Sequence, residues 1–212
     1  MTQRIWIFDL DNTLHDASPH IFPHINRSMR DYIEHKLGVS KAEANLLRQN
    51  YWERYGATLL GLTKHHAVKP AEFLAETHCF PDLKSMVVFD KPLRHLLKRL
   101  PGRKIIFSNG PRKYAQAILS ITGLRPLFDA VYTIEDVAYR PKPMRKAFLH
   151  LLKDSGLKAQ QCIMVEDSLA NLIMAKKLGM RTVWVNQGLR QSPWVDLKIR
   201  SPQALCRHAN RL

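Results

Sequence analysis

One stretch decides the fold of this 212-residue chain: IWIFDLDNTL, at residues 5–14. Its first four residues are apolar, as expected of a parallel strand that is covered on both faces. Asp9 and Asp11 then follow at the carboxyl end of that strand, which is the edge where open α/β sheets bind ligands. Two carboxylates held this close repel each other unless a cation lies nearby. The stretch therefore predicts a metal site with chemistry on it, although Asp and Asn are also common in plain turns.

Three later segments carry further side chains that can do chemistry. Two of them follow apolar runs at 105–107 and 163–165, and the third places a lysine between two prolines, which restrict its backbone. The side chains are Ser108, Asn109, Lys142, Glu166 and Asp167. A hydroxyl after a strand can hold a phosphate oxygen together with the following backbone N–H. In sequence order the chain therefore carries an acid pair, a hydroxyl, a lysine and a second acid pair. Together they indicate a functional site more specifically than any one of them does.

The order of predicted elements gives the fold class. After residue 86, short apolar runs alternate with helical patterns that end at glycines. Strand, helix and strand repeating in this way form a parallel sheet with right-handed crossovers. We therefore expect an α/β fold, with a Rossmann-like parallel sheet and helices on both of its faces. The segment after Gln187 shows no period, apart from a short helix predicted after Pro202.

Between residues 18 and 85 the pattern is helical throughout. Apolar residues recur at a period near 3.6 from His20 to Leu37. Ser40 and Glu43 predict a capping box at the start of a second helix over 41–55. Further helices are expected over 58–66 and 70–78. The predicted domains are thus an α/β core, residues 1–17 and 86–212, and a helical cap inserted after the first strand, residues 18–85, with His15 and Asp16 beginning the linker between them.

The chain is strongly basic, with 33 Lys and Arg against 18 Asp and Glu and a net charge of +15. Cationic surfaces bind nucleic acids by counterion release. A solvated basic surface that steers small anionic substrates is the alternative. Because the positive residues are scattered and no nucleic-acid-binding motif is present, we expect no specific nucleic-acid partner.

Cysteine content and hydropathy indicate the compartment. Cys79, Cys162 and Cys206 are odd in number and far apart, which gives no disulfide framework and favours a reducing cytoplasm. No apolar run approaches the roughly 18 residues needed to span a membrane. The predictions are a cytoplasmic location and no membrane partner, and the oligomeric state is left open.

On these motifs the chain resembles the haloacid dehalogenase superfamily of phosphohydrolases, from about Ile5 to Val185. A finer resemblance, to the pyrimidine 5′-nucleotidase-like branch, is carried by residues 51–62, 107–110 and 165–172. Thr13 has the form typical of the phosphatases in the superfamily, whose phosphomutases usually have a larger aliphatic residue there. The resemblance implies hydrolysis of a phosphate ester.

The resemblance also implies a role for each motif residue. Asp9 is the nucleophile that forms an aspartyl-phosphate, and Asp11 is the general acid and later the base for water. The implied cofactor is Mg²⁺, held by Asp9, the backbone carbonyl of Asp11, Asp167 and waters. Glu166 is expected to bind the ion through water or to orient a ligand. Lys142 supplies a cation, and Asn171 is expected either to brace Lys142 or a carboxylate, or to be a plain helix-start residue.

The cap is expected to choose the substrate. Aromatic residues such as Tyr55 can stack on a base, and Thr58 and Gly61 can allow a nucleotide to approach closely. Alternatively, Tyr51, Trp52 and Tyr55 belong to the cap core. A pyrimidine nucleoside 5′-monophosphate is the substrate that the branch resemblance favours. Another small phosphate ester, such as a sugar phosphate, and a non-catalytic nucleic-acid-associated protein on the same scaffold are the alternatives.

Overall fold

The computed structural model describes residues 4–208, which form two compact units. One unit contains the residues up to 16 and from 88 onward, and the other is 17–87. The backbone N–H of Asp16 donates to the carbonyl of Val88 at 2.9 Å, so the chain leaves and re-enters the first unit at neighbouring points. The predicted core over 1–17 and 86–212 and the predicted cap over 18–85 stay predictions, and residues 1–3 and 209–212 lie outside the described chain.

The first unit contains a six-stranded sheet whose strand pairs are all parallel. The strands are β1 (Ile5–Phe8), β2 (Arg103–Phe107), β3 (Ala130–Tyr132), β4 (Cys162–Glu166), β5 (Arg181–Val185) and β6 (Leu197–Ile199). Their order is β3-β2-β1-β4-β5-β6, which is a Rossmann-like arrangement. The predicted α/β fold class is therefore confirmed. Strand β6 was not predicted.

The helices alternate with the strands in the first unit and fill the second. They are α1 (Ile21–Leu37), α2 (Lys41–Tyr55), α3 (Thr58–His66), α4 (Pro70–Thr77), α5 (Leu83–Met86), α6 (Pro92–Arg99), α7 (Arg112–Ile121), α8 (Arg145–Ser155), α9 (Leu169–Lys177) and α10 (Leu205–His208). Helix α10 follows a 3₁₀ turn at Pro202–Ala204, close to the short helix predicted there. Within residues 4–208, no helix has the length and apolar character to cross a membrane.

Strand β1 lies at the centre of the sheet and its four residues are buried. Phe8 pairs with Ile106 of β2 on one side and with Val165 of β4 on the other. Its ring also meets Phe128 edge to face, with ring centroids 5.8 Å apart. This register brings the residues that follow β1, β2 and β4 to the same edge of the sheet.

In the helical unit, α2 begins with the predicted capping box. Ser40 Oγ accepts a hydrogen bond from the Glu43 backbone N–H at 3.3 Å, and a Glu43 carboxylate oxygen accepts one from the Ser40 backbone N–H at 2.9 Å. These reciprocal bonds satisfy two N–H groups that the first turn of a helix leaves unpaired. The capping box that the sequence predicts is therefore confirmed.

Candidate active site

The predicted site residues of the sheet unit follow neighbouring strands at its carboxyl edge. Asp9 follows β1, and its backbone N–H donates to the carbonyl of Val165 on β4 at 3.0 Å. Ser108 follows β2, while Glu166 ends β4 and is followed by Asp167. The order of the strands reverses between β1 and β4, and ligands of open α/β sheets bind at such a switch point.

Lys142 is a buried cation, with 1% of its side chain exposed. Its ammonium donates to Asp9 Oδ1 at 2.7 Å, to Glu166 Oε2 at 2.8 Å and to the carbonyl of Phe107 at 2.6 Å. Burial lowers the pKa of Lys142, but the carboxylates of Asp9 and Glu166 together raise it further, so the net shift is upward. Lys142 therefore stays charged and joins motifs that lie far apart in the sequence.

Asn109 holds the backbone of Lys142 with both ends of its side-chain amide. Its Oδ1 accepts a hydrogen bond from the Lys142 backbone N–H at 2.8 Å, and its Nδ2 donates to the Lys142 carbonyl at 3.0 Å. The sequence predicted only a phosphate-binding role for the Asn109 backbone. The role of the side chain was missed because the two residues are 33 positions apart.

Three carboxylates form a cluster around this cation. Asp9, Glu166 and Asp167 each offer an oxygen, and these three oxygens lie within 4.8 Å of one another. Burial, followed by repulsion from Glu166, raises the pKa of Asp9 to about 7. Burial likewise raises the pKa of Glu166 and of Asp167. A single ammonium does not balance three acids, so this all-oxygen set fits a hard divalent cation.

The two acids at the end of β4, Glu166 and Asp167, have different surroundings. Glu166 is buried, and both of its carboxylate oxygens accept hydrogen bonds. Oε2 accepts from Lys142 and, at 3.0 Å, from Asn171 Nδ2. Oε1 accepts from the Ser168 backbone N–H at 3.1 Å. Asp167 is less deeply buried. Asn171 thus braces a carboxylate, which was one of the two predicted possibilities.

Asp11 is held by two donors that the sequence did not associate with it. The Tyr114 hydroxyl donates to Asp11 Oδ1 at 2.5 Å, and His15 Nε2 lies 2.9 Å from the same oxygen. Burial, followed by the charge of Asp11, raises the pKa of Tyr114, so the hydroxyl stays protonated. His15 was predicted to begin the linker, but its side chain is fully buried in the sheet unit because it turns back to Asp11.

Ser108 is buried, and its hydroxyl has a defined orientation. Its Oγ accepts a hydrogen bond from the Gly110 backbone N–H at 2.9 Å. Since that bond uses a lone pair of the oxygen, the hydroxyl proton can be donated to another group.

A cavity of about 320 Å³ borders the acidic cluster within the sheet unit, and its lining includes Thr13, His15 and Asp167. Thr13 Oγ1 and His15 Nδ1 are buried and have no hydrogen-bond partner among the described residues. The acidic edge therefore opens onto a space that polar groups line.

The three residues of the helical unit that the sequence predicts to contact substrate have contacts within that unit. The Thr58 hydroxyl donates to the carbonyl of Arg48 at 3.0 Å. A Cβ atom at Gly61 would lie 2.1 Å from Cγ of Tyr51, so this glycine lets α2 and α3 pack closely. The Tyr55 hydroxyl bonds to His65 Nε2 at 2.7 Å.

The aromatic residues of α2 differ in exposure. Tyr51 is partly buried and its hydroxyl bonds to His66 Nε2 at 2.7 Å. Trp52 is 63% exposed. Tyr51 and the partly buried Tyr55 therefore fit the alternative of core residues of the helical unit, whereas Trp52 does not.

A family model described as haloacid dehalogenase-like hydrolase matches residues 4–179. The chain belongs to this family. The predicted superfamily is thus confirmed, and the acid pair after β1, Lys142 and the acids after β4 all lie within the matched range.

Two protein relatives and one solved structure illustrate the likeness. Phosphate metabolism protein 8 of Saccharomyces cerevisiae is 26% identical over an alignment of 197 positions, which covers 84% of this chain and 60% of the yeast protein. The chain therefore spans less than two thirds of that relative. Glyceraldehyde 3-phosphate phosphatase of Methanocaldococcus jannaschii is 28% identical over an alignment of 214 positions, which covers 94% of this chain and 93% of the archaeal protein. A haloacid dehalogenase-type phosphatase of Thermococcus onnurineus has a TM-score of 0.68 and 27% identity, covering 97% of each chain.

Proposed function

We propose that the chain is a Mg²⁺-dependent phosphomonoester hydrolase that uses Asp9 as its nucleophile. The observation that carries this proposal is the contact of Asp9 with buried Lys142, beside Glu166 and Asp167. A carboxylate beside a fixed ammonium can approach an anionic phosphate, because the cation offsets the repulsion between them. Relatives named phosphoglycolate phosphatase and glyceraldehyde 3-phosphate phosphatase support the same reaction class.

In the proposed reaction Asp9 attacks the phosphorus atom and forms an aspartyl-phosphate, while the bond to the leaving oxygen breaks. Asp11 gives its proton to that oxygen. Asp11 then accepts a proton from water, which attacks the aspartyl-phosphate and releases inorganic phosphate and free Asp9. A covalent intermediate divides one difficult displacement into two easier ones.

Ser108 and Asn109 are proposed to bind the phosphate. The Ser108 hydroxyl, whose oxygen accepts from the Gly110 N–H, is the proposed donor to a phosphate oxygen. The Asn109 backbone N–H is the second proposed donor, and the Asn109 side chain keeps Lys142 in place. Donors fixed in advance need no reorganisation as charge moves during the reaction.

Asp9, Asp167 and the backbone carbonyl of Asp11 are the proposed Mg²⁺ ligands. Glu166 is proposed to orient this set, because both of its oxygens already accept hydrogen bonds. When bound, Mg²⁺ would neutralise phosphate charge and orient the ester for in-line attack. Lys142, held by Asn109, favours the ionised form of Asp9 and aligns its carboxylate.

A pyrimidine nucleoside 5′-monophosphate is the proposed substrate, with Tyr55 of the helical unit as the residue that stacks on the base. The resemblance of residues 51–62 to the nucleotidase branch supports this choice. Thr58 and Gly61 are proposed to shape the same region through the packing of α2 and α3. In this proposal the helical unit acts as the cap that selects the substrate.

A smaller phosphate ester is the second candidate substrate. Relatives named phosphoglycolate phosphatase are 23–30% identical, and another is named glyceraldehyde 3-phosphate phosphatase. Thr58 and Gly61 make packing contacts within the helical unit, and these contacts explain the presence of both residues without a bound nucleotide.

The test is phosphate release from a panel of substrates with Mg²⁺ present. The panel contains pyrimidine and purine nucleoside monophosphates, 2-phosphoglycolate, glyceraldehyde 3-phosphate and a hexose phosphate, and kcat/KM ranks them. We expect a pyrimidine nucleotide to rank first. A higher rank for phosphoglycolate or the triose phosphate would select the second candidate, and no release from any member would contradict the proposed reaction.

A further inference from the structure

We propose that Tyr114 is a positioning residue for Asp11, which it holds together with His15 in the orientation needed for proton transfer to the leaving group. The inference rests on the proposed function and deepens it. Tyr114 lies on α7, outside the residues that the strand-end motifs single out.

The geometry at Asp11 fixes the carboxylate by one of its oxygens. Tyr114 is 3% exposed, and its hydroxyl donates to Oδ1 at 2.5 Å. His15 Nε2 lies 2.9 Å from the same oxygen, and its side chain is fully buried. Two partners from different parts of the chain restrict rotation of the carboxylate plane. Because both contacts involve Oδ1, Oδ2 is the oxygen that we assign to proton transfer.

Gly110 provides the space that Tyr114 occupies. A Cβ atom at Gly110 would lie 2.9 Å from Cδ1 of Tyr114 and 3.3 Å from Ser108 Oγ. The glycine therefore allows the ring of Tyr114 to pack against the turn after β2, beside the proposed phosphate-binding serine. The same turn thus places Ser108 and the residue that holds Asp11.

The effect of a misplaced Asp11 on the reaction depends on the leaving group. A strongly basic alkoxide needs a proton as it departs, whereas p-nitrophenolate departs without one. General acid catalysis contributes about 10²–10⁴-fold where it is needed. A misplaced Asp11 should therefore slow release of an alkyl alcohol and spare p-nitrophenyl phosphate. The parameter kcat/KM isolates this step, because it covers events up to the first irreversible loss of the leaving group.

The experiment compares Tyr114→Phe with wild type on an alkyl phosphate, the best substrate of the panel above, and on p-nitrophenyl phosphate. Tyr132→Phe is the matched control, since it also removes a hydroxyl that donates to a carboxylate, that of Asp154, at 2.8 Å. We expect Tyr114→Phe to lower kcat/KM about 10-fold or more for the alkyl phosphate and less than about 2-fold for p-nitrophenyl phosphate. Tyr132→Phe should leave both values near wild type.

Equal losses on both substrates, or no loss on either, would overturn the inference while leaving the hydrolase proposal intact. Wild-type protein that hydrolyses neither substrate would overturn both. His15→Leu supplies an independent variant should Tyr114→Phe fail to fold, because it removes the second contact with Asp11 Oδ1. It should show the same selective loss on the alkyl phosphate, and an unselective loss would count against the positioning of Asp11.

Discussion

Replacing Lys142 by methionine should destabilise the sheet unit, because it removes the buried ammonium and keeps a side chain of similar length. Within residues 4–208, Lys142 is the cation that forms ion pairs with Asp9 and Glu166, at 2.7 and 2.8 Å. Breaking a buried ion pair by removing one partner costs about 3–5 kcal/mol, since the other charge stays buried. In a chain of this size, about 1 kcal/mol corresponds to about 2–4 °C in melting temperature. We therefore expect the melting temperature to fall by about 6–20 °C.

The assay is thermal unfolding followed by circular dichroism, with a chelator present so that no divalent cation replaces the ammonium. Lys146→Met is the matched control, because Lys146 lies on α8 and is exposed. A surface substitution of this kind changes stability by about 0.5 kcal/mol or less. The control should therefore melt within about 2 °C of wild type.

A double variant tests the electrostatic cause. Adding Glu166→Gln to Lys142→Met removes one of the carboxylates that lost its partner, so the double variant should be more stable than the sum of the single changes predicts. Residues in direct contact typically couple by about 0.5–3 kcal/mol. If Lys142→Met melts like Lys146→Met, the buried ion pairs do not stabilise the sheet unit. If the effects of Lys142→Met and Glu166→Gln on stability are simply additive, the loss is not electrostatic.

Three further predictions concern packing, the metal and the charge. Gly61→Ala should destabilise the protein by about 1–3 kcal/mol, because its Cβ would overlap Tyr51. Thr63→Ala, on the exposed side of α3, should not destabilise it. Equal urea midpoints for the two variants would contradict this prediction. Phosphate release should need Mg²⁺ and be inhibited by excess Ca²⁺, which prefers more ligands at longer distances, so full activity after exhaustive chelation would exclude the proposed cofactor. Fluorescent DNA and RNA should bind weakly and be released by about 150 mM salt, and submicromolar, sequence-dependent binding at that salt would promote the nucleic-acid alternative.

The fold was predictable because the central strands are continuous apolar runs. Ile5–Phe8 and Cys162–Glu166 are buried along their whole length, and such runs differ clearly from the helical period of residues 21–37. Strand β6 was missed because Lys198 interrupts its three residues and the segment after Gln187 shows no alternation of helix and strand, whereas the equally short β3 follows a predicted helix.

The candidate site was predictable where it follows from topology. Asp9, Ser108 and Asp167 follow neighbouring parallel strands, and parallel strands end at the same edge of their sheet. The supporting contacts were not predictable, because they depend on how a helix or a loop packs against that edge. Tyr114 is 103 residues from Asp11, and neither its spacing nor its type indicates the hydrogen bond.

The role of Gly61 shows the same limit. In the sequence, a glycine among aromatic residues suggests space for a ligand. In the structure, that space is filled by the ring of Tyr51. Only the distance between α2 and α3 separates these interpretations, and a single sequence does not contain that distance.

Phosphate release from purified Asp9→Asn shows directly whether Asp9 is the nucleophile of a phosphatase. The substitution keeps the shape of the side chain but removes the charge that attacks phosphorus and binds the cation. We expect wild type to release phosphate and Asp9→Asn to lose at least about 10³-fold in kcat, the scale of loss when a nucleophile is removed, with a cooperative thermal transition that shows a folded protein. Phosphate release by folded Asp9→Asn at the wild-type rate would show that Asp9 is not the nucleophile.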